Sequence, residues 1–472
     1  MPATAMIFLR KANRMKPLAR YAAAIAALVF LVVPPAAAVQ IDRVKSPGGI
    51  EAWLIQDRSV PLVSMQFAFR GGAASDPASK AGRARMTADL LTEGAGDLDA
   101  QAFAQALEDR AISLGFDAGL DSVHGSMRTL NEHRNFAFDM LQLALTKPRF
   151  DADAVERVRS QTLAALARET QNPEILARRT WMAAAFPEHP YGRPVLGTVE
   201  TVPALTPDDF RAFVRERLAR DNLIVGVVGD ITPEALGPLL DRAFGALPAK
   251  AVPPEISFAK PAADGQTMEV SRDVPQSVIM FGQNGIRRKD PDWYAASIVN
   301  YVLGGGGFNS RLMTELREKR GLTYGIYTSL VSLDEAGILL GSSSTANPNV
   351  PQALQLIRAE WQRMAESGPT LAEIEAAKAY LIGSFKLQLS SSLAIASILV
   401  AIQYDDLGID FIDQRDDLIR AVTTEDAKRV AQQLLTPASV LTTVVGNPEG
   451  RAGAAPAGGE PAKAPAAPGR DG

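Results

Sequence analysis

Two apolar, β-branched runs sit at matching places in the chain. Leu223-Ile-Val-Gly-Val-Val-Gly-Asp230 and Val440-Leu-Thr-Thr-Val-Val-Gly-Asn447 each predict a strand that closes on a Gly-Asp or Gly-Asn turn. A helical pattern leads into each run, opened by Leu205-Thr-Pro-Asp-Asp-Phe210 in one case and by Val422-Thr-Thr-Glu-Asp-Ala427 in the other. In both, a threonine N-cap precedes two first-turn acids, which satisfy exposed amides and complement the helix dipole. Thr206 to Gly229 and Thr423 to Gly446 both span 23 residues. Earlier segments match in the same order. Phe150-Asp-Ala-Asp-Ala-Val155 and Pro369-Thr-Leu-Ala-Glu-Ile374 each open a long helix, and Val60–Phe69 and Val274–Phe281 each read as a strand.

The shift between the copies is near 217 residues, as from Thr206 to Thr423. This is an internal duplication. Each copy runs strands, helices, long helices and a closing strand, which predicts an α+β fold of two homologous halves. The halves are placed at residues 39–247 and 266–449. Between them, 248–265 carries Pro248, Pro253, Pro254 and Pro261 and reads as an extended linker. The Ala/Gly/Pro-rich stretch 450–472 predicts disorder.

One apolar run belongs to neither half. Tyr21 to Val33 is continuously apolar, follows Arg10, Lys11, Arg14, Lys16 and Arg20, and is followed by Pro34-Pro35 and Ala36-Ala-Ala38. That order predicts a signal peptide over 1–38, cut after Ala38, and a periplasmic protein with no stable membrane insertion afterwards. The run falls short of the roughly 20 residues that span a bilayer. An uncleaved anchor is the competing expectation, and Met15 is an alternative start. Removing the five basic residues takes the formal charge from −4 to −9. An acidic chain with no basic, aromatic-laced stripe argues against a nucleic-acid partner. Its 472 residues include no cysteine, which excludes disulfides and thiol catalysis.

Candidate chemistry concentrates in the second half. Gly304-Gly-Gly-Gly307 lacks the Gly-Lys-Ser/Thr of a phosphate loop. The run Leu303-Gly-Gly-Gly-Gly-Phe-Asn-Ser-Arg-Leu312 and the following Leu316-Arg-Glu-Lys-Arg-Gly-Leu-Thr-Tyr324 resemble the second half of pitrilysin/insulinase-type zinc peptidases, which include the mitochondrial processing peptidase. The resemblance implies two halves facing each other like a clamshell. It also implies that Arg317 and Tyr324 hold the carbonyls of a bound peptide, with Gly304, Gly305, Gly306 and Gly307 lining the substrate chamber. Both side chains are donors to a peptide carbonyl. Tyr327 is an alternative donor.

The same resemblance locates a zinc motif, His-x-x-Glu-His, in the first half. Two imidazoles on one helix face and a carboxylate base are required there. The matching segment, Gly82-Arg-Ala-Arg-Met-Thr-Ala-Asp-Leu-Leu91, puts Arg85 and Asp89 at the histidine positions and Ala88 at the glutamate position. The distal glutamate becomes Ala164 or Ala165, and Arg85 and Asp89 have the spacing of a helix ion pair. His124, His133 and His189 are the three histidines, and no two share helical ligand spacing. The expectation is a chain that binds no metal and acts as the non-catalytic, substrate-binding subunit of a heterodimeric zinc metallopeptidase. Its homologous partner would carry His-x-x-Glu-His and the zinc, and Arg317 and Tyr324 would serve that partner's active site. The alternative is a catalytically dead structural or peptide-binding scaffold of the same fold.

Overall fold

The computed structural model describes residues 40–448 except 254 and 263. The expected signal segment and tail lie outside the described residues. The described residues from Ile41 to Pro448 form one compact unit. Among the described residues no helix is long and apolar enough to cross a membrane.

The first half carries β1 (Asp42–Lys45), β2 (Glu51–Gln56), β3 (Leu62–Arg70), a small hairpin of β4 (Gly94–Ala95) and β5 (Leu98–Asp99), β6 (Ser113–Ala118), β7 (Ser122–Leu130) and β8 (Leu223–Gly229). The second carries β9 (Thr267–Ser271), β10 (Gln276–Asn284), β11 (Thr323–Leu333), β12 (Ala336–Ala346) and β13 (Leu441–Gly446). The first sheet runs β1-β2-β8-β3-β7-β6, and the second, read in the same sense, runs β9-β13-β10-β12-β11. Without β1 the two orders are the same. The parallel pair also falls at the equivalent place, β2 with β8 and β9 with β13. The duplication read from the sequence is therefore a duplication of topology, and the fold is α+β in two homologous halves.

The helices of the first half are α1 (Arg83–Leu90), α2 (Ala100–Glu108), α3 (Arg134–Thr146), α4 (Ala152–Glu169), α5 (Pro173–Ala185), α6 (Pro207–Arg217) and α7 (Pro233–Phe244). Those of the second are α8 (Trp293–Asn300), the short α9 (Arg311–Met313), α10 (Val350–Ser367), α11 (Leu371–Gln388), α12 (Ser392–Tyr404), α13 (Phe411–Arg420) and α14 (Thr424–Leu434). The caps form where the sequence places them. At α14 the Asp426 amide donates to Thr423 Oγ1 at 3.0 Å and the Thr423 amide to Asp426 Oδ2 at 3.1 Å. At α6 the Thr206 amide donates to Asp209 Oδ2 at 2.9 Å. Thr370 and Glu373 repeat the reciprocal pattern at α11.

Each half covers one face of its sheet with its own helices. The other face is covered by a helix from the opposite half. Ala177, Trp181 and Ala185 of α5 pack on Val278, Met280, Ile338, Leu340, Leu441 and Val445 of the second sheet. Ala396, Leu399 and Ile402 of α12 pack on Trp53 and Val228 of the first. Both contacts are close: a Cβ on Gly226 would lie 2.6 Å from Ala396 O, and one on Gly282 would lie 2.9 Å from Trp181 Cζ2. The segment read as the linker, 248–265, has no helix or strand among its described residues. It is held at its edges, with the Val252 amide bonded to Glu216 O and the Ala259 amide to Glu335 O, both at 2.8 Å.

The turns β6–β7 and β11–β12 meet across the halves. The Asp334 amide donates to Asp121 Oδ2 at 3.0 Å, and the Glu335 amide to the Tyr191 hydroxyl at 2.9 Å. Tyr191 in turn donates to Asp121 Oδ1 at 2.7 Å, and Tyr404 donates to Asp334 Oδ2 at 2.9 Å. Burial, with Asp334 and Glu335 nearby, outweighs these bonds and pushes the Asp121 carboxyl up to about 6. A raised pKa means the folded state binds this proton more tightly than the unfolded chain. The contribution is complete below the ordinary value of 3.8 and is lost as pH rises through about 6. Asp121→Asn removes the titration. Its stability relative to wild type is expected to rise between about pH 4 and pH 7, by up to about 3 kcal/mol. Denaturant unfolding of both proteins across that range measures it, and parallel stability curves would refute it.

Candidate functional site

Helix α1 starts at Gly82, whose φ of 95° suits glycine, and it buries Arg83, Ala84, Met86, Thr87, Ala88 and Leu90. Arg83 is anchored by Asp76 and Glu216, each at 3.3 Å, and Asp76 also accepts from the Ala84 amide at 3.0 Å. Sequence reading missed Asp76 and Arg83, because seven residues and a turn separate a pair that only the fold buries. On the open side of α1, Arg85 Nε meets Asp89 Oδ2 at 3.1 Å, and the same guanidinium bonds Asp117 of β6. Arg85 and Asp89 thus form the i, i+4 pair that their spacing predicts, joined by a third member from an edge strand. Ala88 is buried.

These residues do not fit zinc. Of the positions that the family resemblance assigns to the ligands, one holds a fixed guanidinium and the other a carboxylate committed to it, and the position it assigns to the base holds a methyl group. Ala164 is exposed and Ala165 half-buried, and they lie on α4, which packs beside α1. The histidines are engaged elsewhere: His124 Nε2 with Ser122 Oγ at 2.7 Å, His189 with the Tyr191 amide and Ser257 O, and His133 near Glu132. Among the described residues no group of three or more His, Asp or Glu is placed to hold a metal ion.

The second cluster is built differently. Ser310 caps α9, which continues as a π-helical turn over Thr314–Glu318; such turns are frequent at functional sites. Leu312, Met313 and Leu316 anchor it in the core of the second half. Arg311 grips Glu373 with two bonds of 2.7 Å. Burial raises the Glu373 carboxyl, but Arg311 and the Thr370 cap outweigh it and leave Glu373 at about 2. The segment that carries Arg317 is thus tied to α11.

Gly321, at φ 63°, ends this segment and leads into edge strand β11. There the pairing with β12 slips between Thr323 and Ile326. A bulge on an edge strand re-aims its side chains, and Tyr324 stands 84% exposed. Its ring lies under the Arg317 guanidinium, 4.8 Å from centroid to Cζ, and the Phe308 ring lies at 4.4 Å. Among the described residues Arg317 has no carboxylate or carbonyl partner, so its donors are free. Tyr327, 50% exposed, is not part of this stack.

The glycine run, read as a loop, is a loop only in its second part. Tyr301–Gly305 is a π-helical turn with Gly304 buried. A Cβ on Gly304 would lie 2.5 Å from Thr328 Oγ1 of β11, and one on Gly306 would lie 2.8 Å from Tyr301 O. These glycines let a helix end close on the strand. Gly307, at φ 58° with open space around it, then turns the chain into Phe308, 60% exposed. Phe308 was missed in the sequence. The signal was present, a large apolar residue directly after a turn glycine, where burial is not expected.

A third feature is a cavity of about 1450 Å³, lined by residues of both halves, including Arg70, Tyr404 and Arg288. None of Arg85, Ala88, Asp89, Gly304, Gly305, Gly306, Gly307, Arg317 and Tyr324 lines it.

Comparison with known proteins agrees with this layout. A family model described as insulinase (peptidase family M16) matches residues 52–199, and one described as peptidase M16 inactive domain matches residues 204–381. A Helicobacter pylori protein named non-peptidase homolog YmxG is 29% identical over 355 residues, covering 74% of this chain and 80% of that protein. An uncharacterized zinc protease of Mycobacterium leprae is 27% identical over 398 residues, covering 84% of this chain and 89% of its own. The crystal structure of a peptidase M16 inactive domain from Pseudomonas fluorescens superposes with a TM-score of 0.81 at 28% identity, covering 86% of this chain and 98% of that one. This chain therefore belongs to the insulinase family, peptidase family M16.

Proposed function

We propose that this chain is the non-catalytic, peptide-holding subunit of an exported, two-subunit zinc peptidase. The observation that carries the reading is the Phe308–Arg317–Tyr324 stack. Its cation is held by two rings while its hydrogen-bond donors stay free. A scaffold has no use for such a group on an open surface. A peptide carbonyl does, and more so when it becomes an oxyanion. The stack lies beside edge strand β11, where an extended peptide can add as a further strand. Zinc and the general base would come from a homologous partner that carries His-x-x-Glu-His. Export to the periplasm rests on the basic, apolar and small-residue order of residues 1–38.

The second reading is a catalytically dead scaffold. It is favoured by the Arg85–Asp89–Asp117 cluster, which gives the former metal positions a structural task. Mixing the mature chain with a His-x-x-Glu-His homologue encoded beside it separates the two. The expected result is a stable heterodimer that cleaves peptides, with zinc by elemental analysis on the partner alone and neither activity nor stoichiometric zinc in this chain by itself. A partner equally active without this chain would leave the scaffold reading standing.

A further inference from the structure

The cavity between the halves differs in charge from the rest of the molecule. Seven cationic and five carboxylate side chains line it, whereas the whole chain carries a formal −4. Three of the cations are neutralised locally: Arg179 by Glu169, Arg287 by Glu335, and Lys289 by Asp406. The other four form no ion pair among the described residues, although Asp76 acts on Arg193, and Asp405 on Arg288 and Arg70, from beyond ion-pair distance.

Three of these four are held in place by uncharged groups. Arg70 stacks on the Tyr404 ring at 4.1 Å and donates to the Tyr404 carbonyl. Arg288 sits among the rings of Trp293, Tyr294 and Phe411 at 5.0–5.4 Å. Arg193 donates to Ala74 O at 3.1 Å. Arg178 is exposed and has no side-chain partner among the described residues. A guanidinium has five donors in a rigid fork, and rings and single carbonyls fix its direction without consuming its charge. Burial pushes the lining carboxyls Asp121 and Asp405 upward. Apolar side chains, among them Leu176, Met182 and Val400, lie between the charged ones.

We propose that this cavity receives an acidic stretch of polypeptide, with its carboxylates on Arg70, Arg178, Arg193 and Arg288 and its apolar side chains between them. This goes beyond the peptide-holding stack, none of whose residues lines the cavity, and names acidic polypeptide as the ligand class of a second site. The volume exceeds the roughly 300–1,000 Å³ of small-molecule sites and suits a segment of several residues. The apolar lining has no counterpart in a polyphosphate or nucleic-acid ligand.

The test is fluorescence anisotropy on the single mature chain, with three labelled 12-residue peptides of alternating sequence: Glu/Leu, its Gln/Leu isostere and Lys/Leu. The Glu/Leu peptide is expected to bind roughly tenfold or more tighter than the Gln/Leu peptide, with Lys/Leu weakest and with affinity falling as salt rises. Arg178→Glu, at an exposed and unpaired position, is expected to weaken Glu/Leu binding roughly fivefold or more and to leave Gln/Leu binding unchanged. Arg288→Gln should act in the same direction. Equal affinity for Glu/Leu and Gln/Leu, no binding of Glu/Leu, or an Arg178→Glu protein that binds Glu/Leu as wild type would each overturn the proposal. The titration needs no partner. Loss of acidic preference here and absence of peptidase activity in the two-subunit mixture are therefore separate results.

Discussion

Arg317→Ala and Tyr324→Phe are each expected to lower kcat of the assembled peptidase by roughly 10²-fold while leaving the complex intact. Both residues stand at the open face of the second half, and among the described residues the Arg317 guanidinium is held only by the Phe308 and Tyr324 rings. Removing either donor therefore breaks no hydrogen bond or ion pair within the described residues. Tyr324→Phe keeps the ring under the guanidinium and deletes only the hydroxyl, so its effect isolates one donor. The carbonyl that these donors hold becomes more negative in the transition state, so kcat should fall more than KM rises. Arg317→Lys keeps the charge but loses the planar fork and should recover only part of the rate. Phe308→Ala acts through Arg317 alone, by loosening it, and should be milder than Arg317→Ala. Steady-state kinetics on the reconstituted pair decide the matter, with assembly checked by size exclusion. Variants that assemble and cleave at the wild-type rate would reduce the stack to surface decoration.

The duplicated topology was legible because its markers are local. A threonine cap with acids three residues on, and a β-branched run that ends on glycine, are set by hydrogen bonds and burial within one element. They appear as Thr206/Asp209 before β8 and Thr423/Asp426 before β13. The Arg85–Asp89 pair was legible for the same reason, being one helical turn apart. What was not legible is what distance in sequence conceals. Asp117 joins Arg85 from 32 residues away, and Asp121 takes the Asp334 amide from 213 away. The exchange of α5 and α12 between the sheets follows from no periodicity. An apolar helix shows that it must be covered, and only the assembled fold shows by which sheet. The glycine run misled in part, because glycine marks both turns and close backbone approach. Gly307 does the first and Gly304 the second.

The exchange makes Trp181 the side chain whose loss should cost most. It belongs to the first half, is fully buried against the second sheet, and donates from Nε1 to Leu441 O at 3.0 Å. Trp181→Ala removes a large buried ring at a site where the second sheet approaches closely at Gly282, so the cavity cannot collapse readily. It also leaves the Leu441 carbonyl without this donor. A loss of about 3–5 kcal/mol is expected from the cavity, with about 1 kcal/mol more from the hydrogen bond. Leu399→Ala, on α12 against the first sheet, should cost about 2–5 kcal/mol by the same reasoning. These two contacts join the halves together with the hydrogen bonds of the β6–β7 and β11–β12 turns, so Trp181→Ala should also reduce cooperativity. Urea unfolding followed by tryptophan fluorescence and by far-ultraviolet circular dichroism should coincide in wild type and separate in the variant. A Trp181→Ala protein that unfolds in one coincident transition, within about 1 kcal/mol of wild type, would show that the halves are held together elsewhere.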